Sequence, residues 1–392
     1  MYNIKLFNNI SDNIYNELDE RFNVSSDLDD YDAVIVRSAD MHEVELPANA
    51  VAVARAGAGY NNIPVEKYSE KGVVVFNTPG ANANAVKELV LCAILLSGRD
   101  IIGGIEWVNE QGRLGTENVE KLAEKIKNQY VGHEVAGKTL GVIGLGAIGV
   151  LVANAAYNGL GMKVIGYDPF MSVDAAWHLT RAVEHTDNLN ELFEKCDFVT
   201  LHLPLNDNTK NTVSARLLSR MKDGSVILNF ARGGLVNSKD MLAALESGKV
   251  AKYITDFASD DLIGKKGVIA IPHLGASTPE SEDNCAEMAA KQIKDYVING
   301  NIVNSVNYPA CSLPRSGKYR IAVNHRNVTN MVGQITAILA SKGINIDHMV
   351  NTSRGDWAYT LFELSNGISD DAESSLMAID GVVRVRRLYD EK

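Results

Sequence analysis

The segment Leu140-Gly-Val-Ile-Gly-Leu-Gly-Ala-Ile-Gly149 joins a short apolar run to a helical pattern through glycines spaced Gly144-x-Gly146-x-x-Gly149. Gly144 permits a tight turn, Gly146 lets the backbone approach a pyrophosphate, and Gly149 lets the helix pack closely on its strand. The first turn of that helix, with Ala147 and Ile148, presents free N–H groups and the positive end of its dipole to the phosphates. A second apolar run, Lys163–Tyr167, ends at Asp168, nineteen residues beyond Gly149. A carboxylate there accepts from ribose hydroxyls and repels a 2′-phosphate, which favours NAD over NADP.

The chain has 392 residues, too many for one compact core, so two or three domains are expected. A net charge of −11 argues against a nucleic-acid surface. The start lacks the basic and long apolar regions of a signal peptide, and Leu89–Leu96 is too short to span a membrane. Cys92, Cys196, Cys285 and Cys311 are widely spaced without a C-x-x-C pair. They read as buried free thiols of a cytoplasmic protein, and no structural metal is expected.

Apolar runs alternate with helical patterns from the beginning, which predicts α/β units with parallel sheets. Strands are expected at Ile4–Phe7, Ala33–Val36, Val51–Ala54 and Val73–Phe76, and helices at Asp12–Phe22 and Ala85–Ser97. The unit with the glycine turn continues through strands at Phe198–Leu201, Ser225–Asn229 and Tyr253–Asp256. The expected domains are 1–97 with 272–303, a discontinuous substrate domain closed by a helix over Ser277–Gly300, and 98–271, the nucleotide domain. Residues 304–317 are rich in Pro, Ser and Asn and read as a linker. Beyond it, 318–392 follow the order β-α-β-β-α-β of a ferredoxin-like module.

Hydride transfer to a nicotinamide needs a proton acceptor, a carboxylate anchor and a group that orients the acceptor. Arg232 follows a strand in Asn229-Phe-Ala-Arg-Gly-Gly, where a guanidinium can hold a carboxylate bidentately. His273, in Ile271-Pro-His-Leu-Gly-Ala-Ser, can take a hydroxyl proton as a neutral imidazole. Asp256, Asp260 and Asp261 are acids able to hydrogen-bond such a ring. Each also has an ordinary reading: a capping arginine, a loop histidine, a solvated acidic turn.

Taken in order, the segments Val36-Arg-Ser38, Ala54–Asn62, Asn77-Thr-Pro-Gly80, the glycine turn, Tyr167-Asp-Pro169, His202-Leu-Pro204, Asn229–Gly233 and Pro272–Thr278 resemble the D-isomer-specific 2-hydroxyacid dehydrogenases. Within that family the chain resembles the branch that oxidises D-3-phosphoglycerate on the way to L-serine. The resemblance implies a catalytic triad of Arg232, Asp261 and His273. The family's acid is usually Glu, so Asp261 is one methylene short and needs a closer backbone or a bridging water to reach His273. The resemblance also implies NAD contacts from Thr78, Leu203, Pro204, Phe230, Ala231, Asp256, Gly275 and Ala276, besides the glycine turn and Asp168. Substrate contacts fall on Arg37, Ser38, Arg55, Ala56, Gly57, Ala58, Gly59 and Asn77. Two arginines in an acidic chain suit a phosphorylated acid, although Met41 stands where phosphoglycerate members often carry Lys. The alternatives are another D-2-hydroxy acid, such as glycerate or 2-hydroxyglutarate, or an NAD-responsive binding protein. Two hinged α/β domains are expected around a dry site. Relatives pair into dimers around Ile105–Gln129.

The C-terminal segment Val323–Ile335 with Gly343-Ile-Asn-Ile346 resembles an ACT domain, with Thr329 replacing the usual Pro of its first loop. His325, Asn327 and Asn345 match the spacing of L-serine contacts in regulated relatives, which implies an allosteric effector site and a homodimer or homotetramer. An ACT domain serving only as an oligomer contact is the alternative.

Overall fold

The computed structural model describes residues 1–389. It contains two compact units, Met1–Asn82 with Pro279–Lys392, and Ala83–Thr278.

The first unit opens with a parallel five-stranded sheet. Its strands are β1 (Tyr2–Phe7), β2 (Phe22–Ser25), β3 (Ala33–Val36), β4 (Ala52–Arg55) and β5 (Val74–Phe76), in the order β2-β1-β3-β4-β5. Both faces are covered, so β3 is buried at all four positions and reads as an unbroken apolar run. Ile35, Ala54 and Phe76 face the core that holds the helix Pro279–Asn299, while Val34, Val53 and Val75 face Tyr68 and Met41. The helix predicted over Asp12–Phe22 is only a 3₁₀ turn at Asp12–Asn16, capped by Ser11. Phe22 instead begins β2, paired with Tyr2. The helical spacing of Ile14, Leu18 and Phe22 arises because turn and strand bury onto one core.

The same unit ends in an antiparallel sheet of β13 (Tyr319–Arg326), β14 (Ile346–Arg354), β15 (Trp357–Leu364) and β16 (Val382–Arg387). In the second unit the strands between are β6 (Thr139–Ile143), β7 (Lys163–Tyr167), β8 (Glu184–His185), β9 (Phe198–Leu201), β10 (Ser225–Asn229), β11 (Val250–Thr255) and β12 (Val268–Ala270).

The C-terminal order, β14-β15-β13-β16 with helices Met331–Ser341 and Asp370–Met377, is the ferredoxin-like topology expected from the element order. One sheet face packs Val323, Phe362 and Val385 against Ile335, Leu339 and Leu376 of its own helices. The other face is covered too over β13 and β15, while β14 at the edge stays largely exposed. Ala322, Tyr359 and Leu361 join the core of the first sheet with Tyr296 and Tyr308, so β15 is buried at all eight positions. Arg384 donates to the carbonyls of Ala48, Ala50 and Lys71, and Arg386 to those of Tyr296 and Val297 while lying 4.5 Å from the Tyr296 ring.

Residues 304–317 are consequently not a free linker. Asn307, Tyr308 and Cys311 are buried. The Asn307 side chain accepts from Val75 N–H at 2.9 Å and donates to Ser69 Oγ and the Val73 carbonyl. Pro, Ser and Asn here are strap chemistry, giving an extended path with side chains that satisfy buried backbone.

The second unit holds a parallel seven-stranded sheet in the order β12-β11-β10-β9-β6-β7-β8. Strand order reverses between β6 and β9, which puts a ligand crevice at their carboxyl ends. β8 and β12, two and three residues long, were too short to announce themselves by pattern. The helix Ala83–Gly98 belongs here rather than to the substrate domain. Val86, Val90, Ala93 and Ile94 lie in one core with Leu140, Val152 and Phe198, so the crossing falls before this helix and not at 97/98. The return falls after Thr278 rather than at 271/272. Cys92, on the outer side of the helix, is exposed, whereas the other three thiols are buried as expected.

A buried ion pair sits in the C-terminal sheet. Arg320 and Glu363 are 0% and 1% exposed with Nη2–Oε1 at 2.6 Å, and Arg320 also donates to the carbonyls of Asn299 and Leu313. Removing one member leaves the other charge buried without its partner. Urea unfolding of Arg320→Ala should show a loss of about 3–5 kcal/mol, and the paired apolar replacement Arg320→Met with Glu363→Leu should recover most of it.

Candidate active site

In the nucleotide unit β6 runs into Gly144, whose φ is +92°; a Cβ there would lie 2.7 Å from the His202 carbonyl oxygen. Gly149 is more tightly held, since a Cβ would stand 1.9 Å from the Gly144 oxygen. Gly146 caps the helix Ala147–Leu160, and a Cβ on it would meet nothing within 4 Å. The first helical bond is from Val150 N–H to the Gly146 carbonyl, at 3.0 Å. The N–H groups of Ala147, Ile148 and Gly149 therefore stand outside the helical ladder, at an exposed turn able to receive a pyrophosphate.

Asp168 Oδ2 accepts from Leu145 N–H and Oδ1 from Phe170 N–H, both at 2.8 Å, so this carboxylate staples the turn to the end of β7. Each oxygen keeps a lone pair for a ribose hydroxyl. Leu203 and Pro204 follow β9 at the neighbouring strand end. His202 is held by Thr200 Oγ1 at 3.0 Å from Nε2, and its removal from water pushes its pKa down to about 3, so it is neutral at pH 7. These features fit a bound NAD: room in front of Gly146, free amides, and an acid at the ribose position.

Arg232, Asp256 and His273 stand at the ends of three adjacent strands, β10, β11 and β12. Buried Asn229 shapes the first loop: its Oδ1 accepts from Ala231 N–H and its Nδ2 donates to the Arg232 carbonyl. Phe230 is buried beneath, and the exposed Arg232 guanidinium folds back onto the Ala231 carbonyl at 2.7 Å. Asp256, only 1% exposed, accepts from Leu274 N–H at 2.7 Å and Gly275 N–H at 2.8 Å. A Cβ on Gly275 would lie 2.9 Å from that carboxylate. The clamp holds His273 at φ +55°, a left-handed conformation uncommon for a non-glycine residue. The ring of His273 is exposed and rests on Phe257 with centroids 5.0 Å apart. Ala276 follows in the same loop, half-buried.

The expected bond between Asp261 and His273 is not formed. Asp261 accepts from Ser259 Oγ at 2.6 Å, and this bond foremost holds its pKa below the usual carboxylate value. It lines an open cavity of about 450 Å³ with Gly233, Ser238, Lys239 and Phe257. The short side chain engages its own loop, and Phe257 occupies the flank of His273.

In the first unit, Arg37 follows β3 and Arg55 is the last residue of β4. Arg55 Nε donates to the Arg37 carbonyl at 3.0 Å, and the guanidinium lies over Gly57, where a Cβ would be 1.4 Å from Nη1. Only glycine, here at φ +147°, allows that approach. Ala56 and Gly57 N–H groups bond to the Val36 and Arg55 carbonyls, and Asn77 Nδ2 fixes the Ala58 carbonyl at 2.7 Å. Among the described residues the N–H groups of Ala58 and Gly59 have no acceptor. Thr78 N–H bonds to the Gly57 carbonyl, and its buried hydroxyl has no partner among the described residues. Ser38 is exposed, its N–H bonded to Asn8 Oδ1. Arg37 Nη2 forms an ion pair with Glu282 Oε1 at 2.6 Å. Met41 is fully buried in the core. The Glu282 and Asn8 contacts join distant parts of the chain and leave no local signal; Asn229 was visible in its motif, but its role was not.

The three expected effector residues do not meet within one chain. His325 is 2% exposed, with Nδ1 on the Arg326 carbonyl and Nε2 on Thr360 Oγ1. Asn327 bonds at the Gly355 turn, whereas Asn345 bonds at the far end of β15, through Ser365. That strand's eight residues put them ~25 Å apart.

Residues 93–275 match the model of the D-isomer specific 2-hydroxyacid dehydrogenase NAD binding domain. The chain is 33% identical over 329 residues to a D-3-phosphoglycerate dehydrogenase of Methanocaldococcus jannaschii, covering 81% of this chain and 59% of the relative, so it spans less than two thirds of that protein. It is 37% identical over 280 residues to a hydroxypyruvate reductase of Thermotoga maritima, covering 68% of this chain and 85% of the relative. Among solved structures, an NAD⁺-bound 3-phosphoglycerate dehydrogenase of Entamoeba histolytica aligns with a TM-score of 0.60 at 28% identity, covering 78% of this chain and 98% of that one. The chain belongs to the D-isomer specific 2-hydroxyacid dehydrogenase family, and its second unit carries the NAD-binding domain of that family.

Proposed function

We propose that the protein oxidises D-3-phosphoglycerate to 3-phosphohydroxypyruvate with NAD, the first step of L-serine biosynthesis. The observation that carries this reading is the trio of loops at β10, β11 and β12, where Asp256 fixes the His273 backbone and the β10 loop leaves Arg232 exposed. NAD, when bound, supplies the hydride acceptor. His273 Nε2 takes the substrate hydroxyl proton, which requires the neutral ring. Arg232 grips the carboxylate and polarises the forming carbonyl. Arg55 and Arg37, with the N–H groups of Ala58 and Gly59, hold the anionic ends of the substrate.

The test is NAD reduction with D-3-phosphoglycerate against unphosphorylated D-glycerate. The reading holds if the phosphorylated acid is preferred and fails if only glycerate is turned over. His273→Ala should lower kcat by about 10²–10⁴. One observation favours a second reading, a dehydrogenase of an unphosphorylated D-2-hydroxy acid: Arg37 is already paired with Glu282, and Met41 offers no cation.

Asp261 completes the triad only when the 257–262 loop gives up its bond from Ser259. The pH–rate profile of Asp261→Glu should then differ from wild type on its acidic limb. An unchanged profile removes Asp261 from the reaction.

Pairing into a homodimer belongs to the same proposal. The helix Ile101–Arg113 has no buried residue, and Ile101, Ile105 and Val108 are 40%, 54% and 50% exposed along one stripe. With Ala123, Ile126 and Tyr130 they line an apolar groove suited to a second copy. Ile105→Asp with Val108→Asp should shift the mass in solution to that of a monomer. An L-serine site from His325, Asn327 and Asn345 requires two C-terminal modules, because one chain keeps Asn327 and Asn345 at opposite ends of β15.

A further inference from the structure

The Arg37–Glu282 pair bears on substrate choice. Arg37 leaves the carboxyl end of β3, and its backbone is pinned there: the carbonyl accepts from Arg55 Nε and Asn62 Nδ2. Its side chain is the movable part, and its ion-pair partner is Glu282, at 2.6 Å in the first turn of the helix Pro279–Asn299. The two side chains are 38% and 41% exposed, so the pair sits in water, where it is screened and weak enough to be displaced. A second acid, Glu280, shares that first turn, and Met41 is buried in the core, so Arg37 gains no cationic reinforcement from either place.

We propose that Glu282 is a specificity-determining residue: its carboxylate competes with the distal anion of the substrate for Arg37, and so sets the preference between a phosphorylated and an unphosphorylated 2-hydroxy acid. This rests on the placement of Arg37 at the substrate given above. A phosphate must displace Glu282 and bear its repulsion, whereas a neutral hydroxyl tail leaves the ion pair intact. The neutral isostere Gln keeps the shape and hydrogen-bonding reach of the position while removing the charge.

The experiment compares kcat/KM for D-3-phosphoglycerate and D-glycerate in wild type, Glu282→Gln, Arg37→Gln and the double variant, at fixed ionic strength. Glu282→Gln should raise the phosphoglycerate-to-glycerate ratio about fivefold, through KM rather than kcat, and the gain should shrink in high salt. In the Arg37→Gln background the gain should vanish, because the competition has lost its object. A ratio that is unchanged or lower in Glu282→Gln overturns the proposal, as does an equal gain without Arg37, which would mark a general charge effect. Wild type that oxidises glycerate and not phosphoglycerate overturns the substrate reading alone. The Glu282 inference then stands if Glu282→Gln brings in phosphoglycerate oxidation, and falls if it does not.

Discussion

Two hydrogen bonds on one buried carboxylate hold the loop that carries His273 in the nucleotide unit. Asp256 is almost wholly removed from water, a position that is unfavourable for a charge unless donors satisfy it, and the N–H groups of Leu274 and Gly275 do so. Because those two amides follow His273, satisfying the carboxylate also sets the backbone that carries the imidazole, including its left-handed φ. Asn229 does the same for the Arg232 loop one strand away, with a neutral amide. Side chains that end buried strands thus act on the loops, and the loops present Arg232 and His273.

This arrangement explains how His273 is oriented without its expected carboxylate. A longer acid at position 261 reaches farther; Asp261 is engaged by Ser259 of its own loop, and Phe257 fills the side of the ring. Orientation comes from backbone clamp and aromatic packing.

The C-terminal module shows what element order can and cannot convey. Its β-α-β-β-α-β succession was legible because each strand and helix carries its own period. The fate of the open sheet face was not. Ala322, Tyr359 and Leu361 alternate just as they would in a module whose face meets another copy, and only the packed chain shows Tyr296 and Tyr308 against them. The same holds for 304–317, where Pro, Ser and Asn mark a departure from regular structure but not whether the segment is solvated or buried. The sequence marks the helix Ala83–Gly98 but not the core it joins, since an apolar helix that follows one sheet and precedes another in the chain carries no sign of which it covers.

What the sequence determined by itself was local: the glycine turn, the acid at Asp168, the runs that become parallel strands, and the residues that end them. Turn geometry and strand burial depend on neighbours a few positions away, and those are written in order. The tertiary structure decided which charges meet. Arg37 and Glu282 are 245 residues apart, and nothing near either announces the other. Asp256 and Gly275 are closer, yet their bond exists only because β11 and β12 lie side by side. An ion pair or a clamp depends on distance in space, and that distance is set only when the cores have closed.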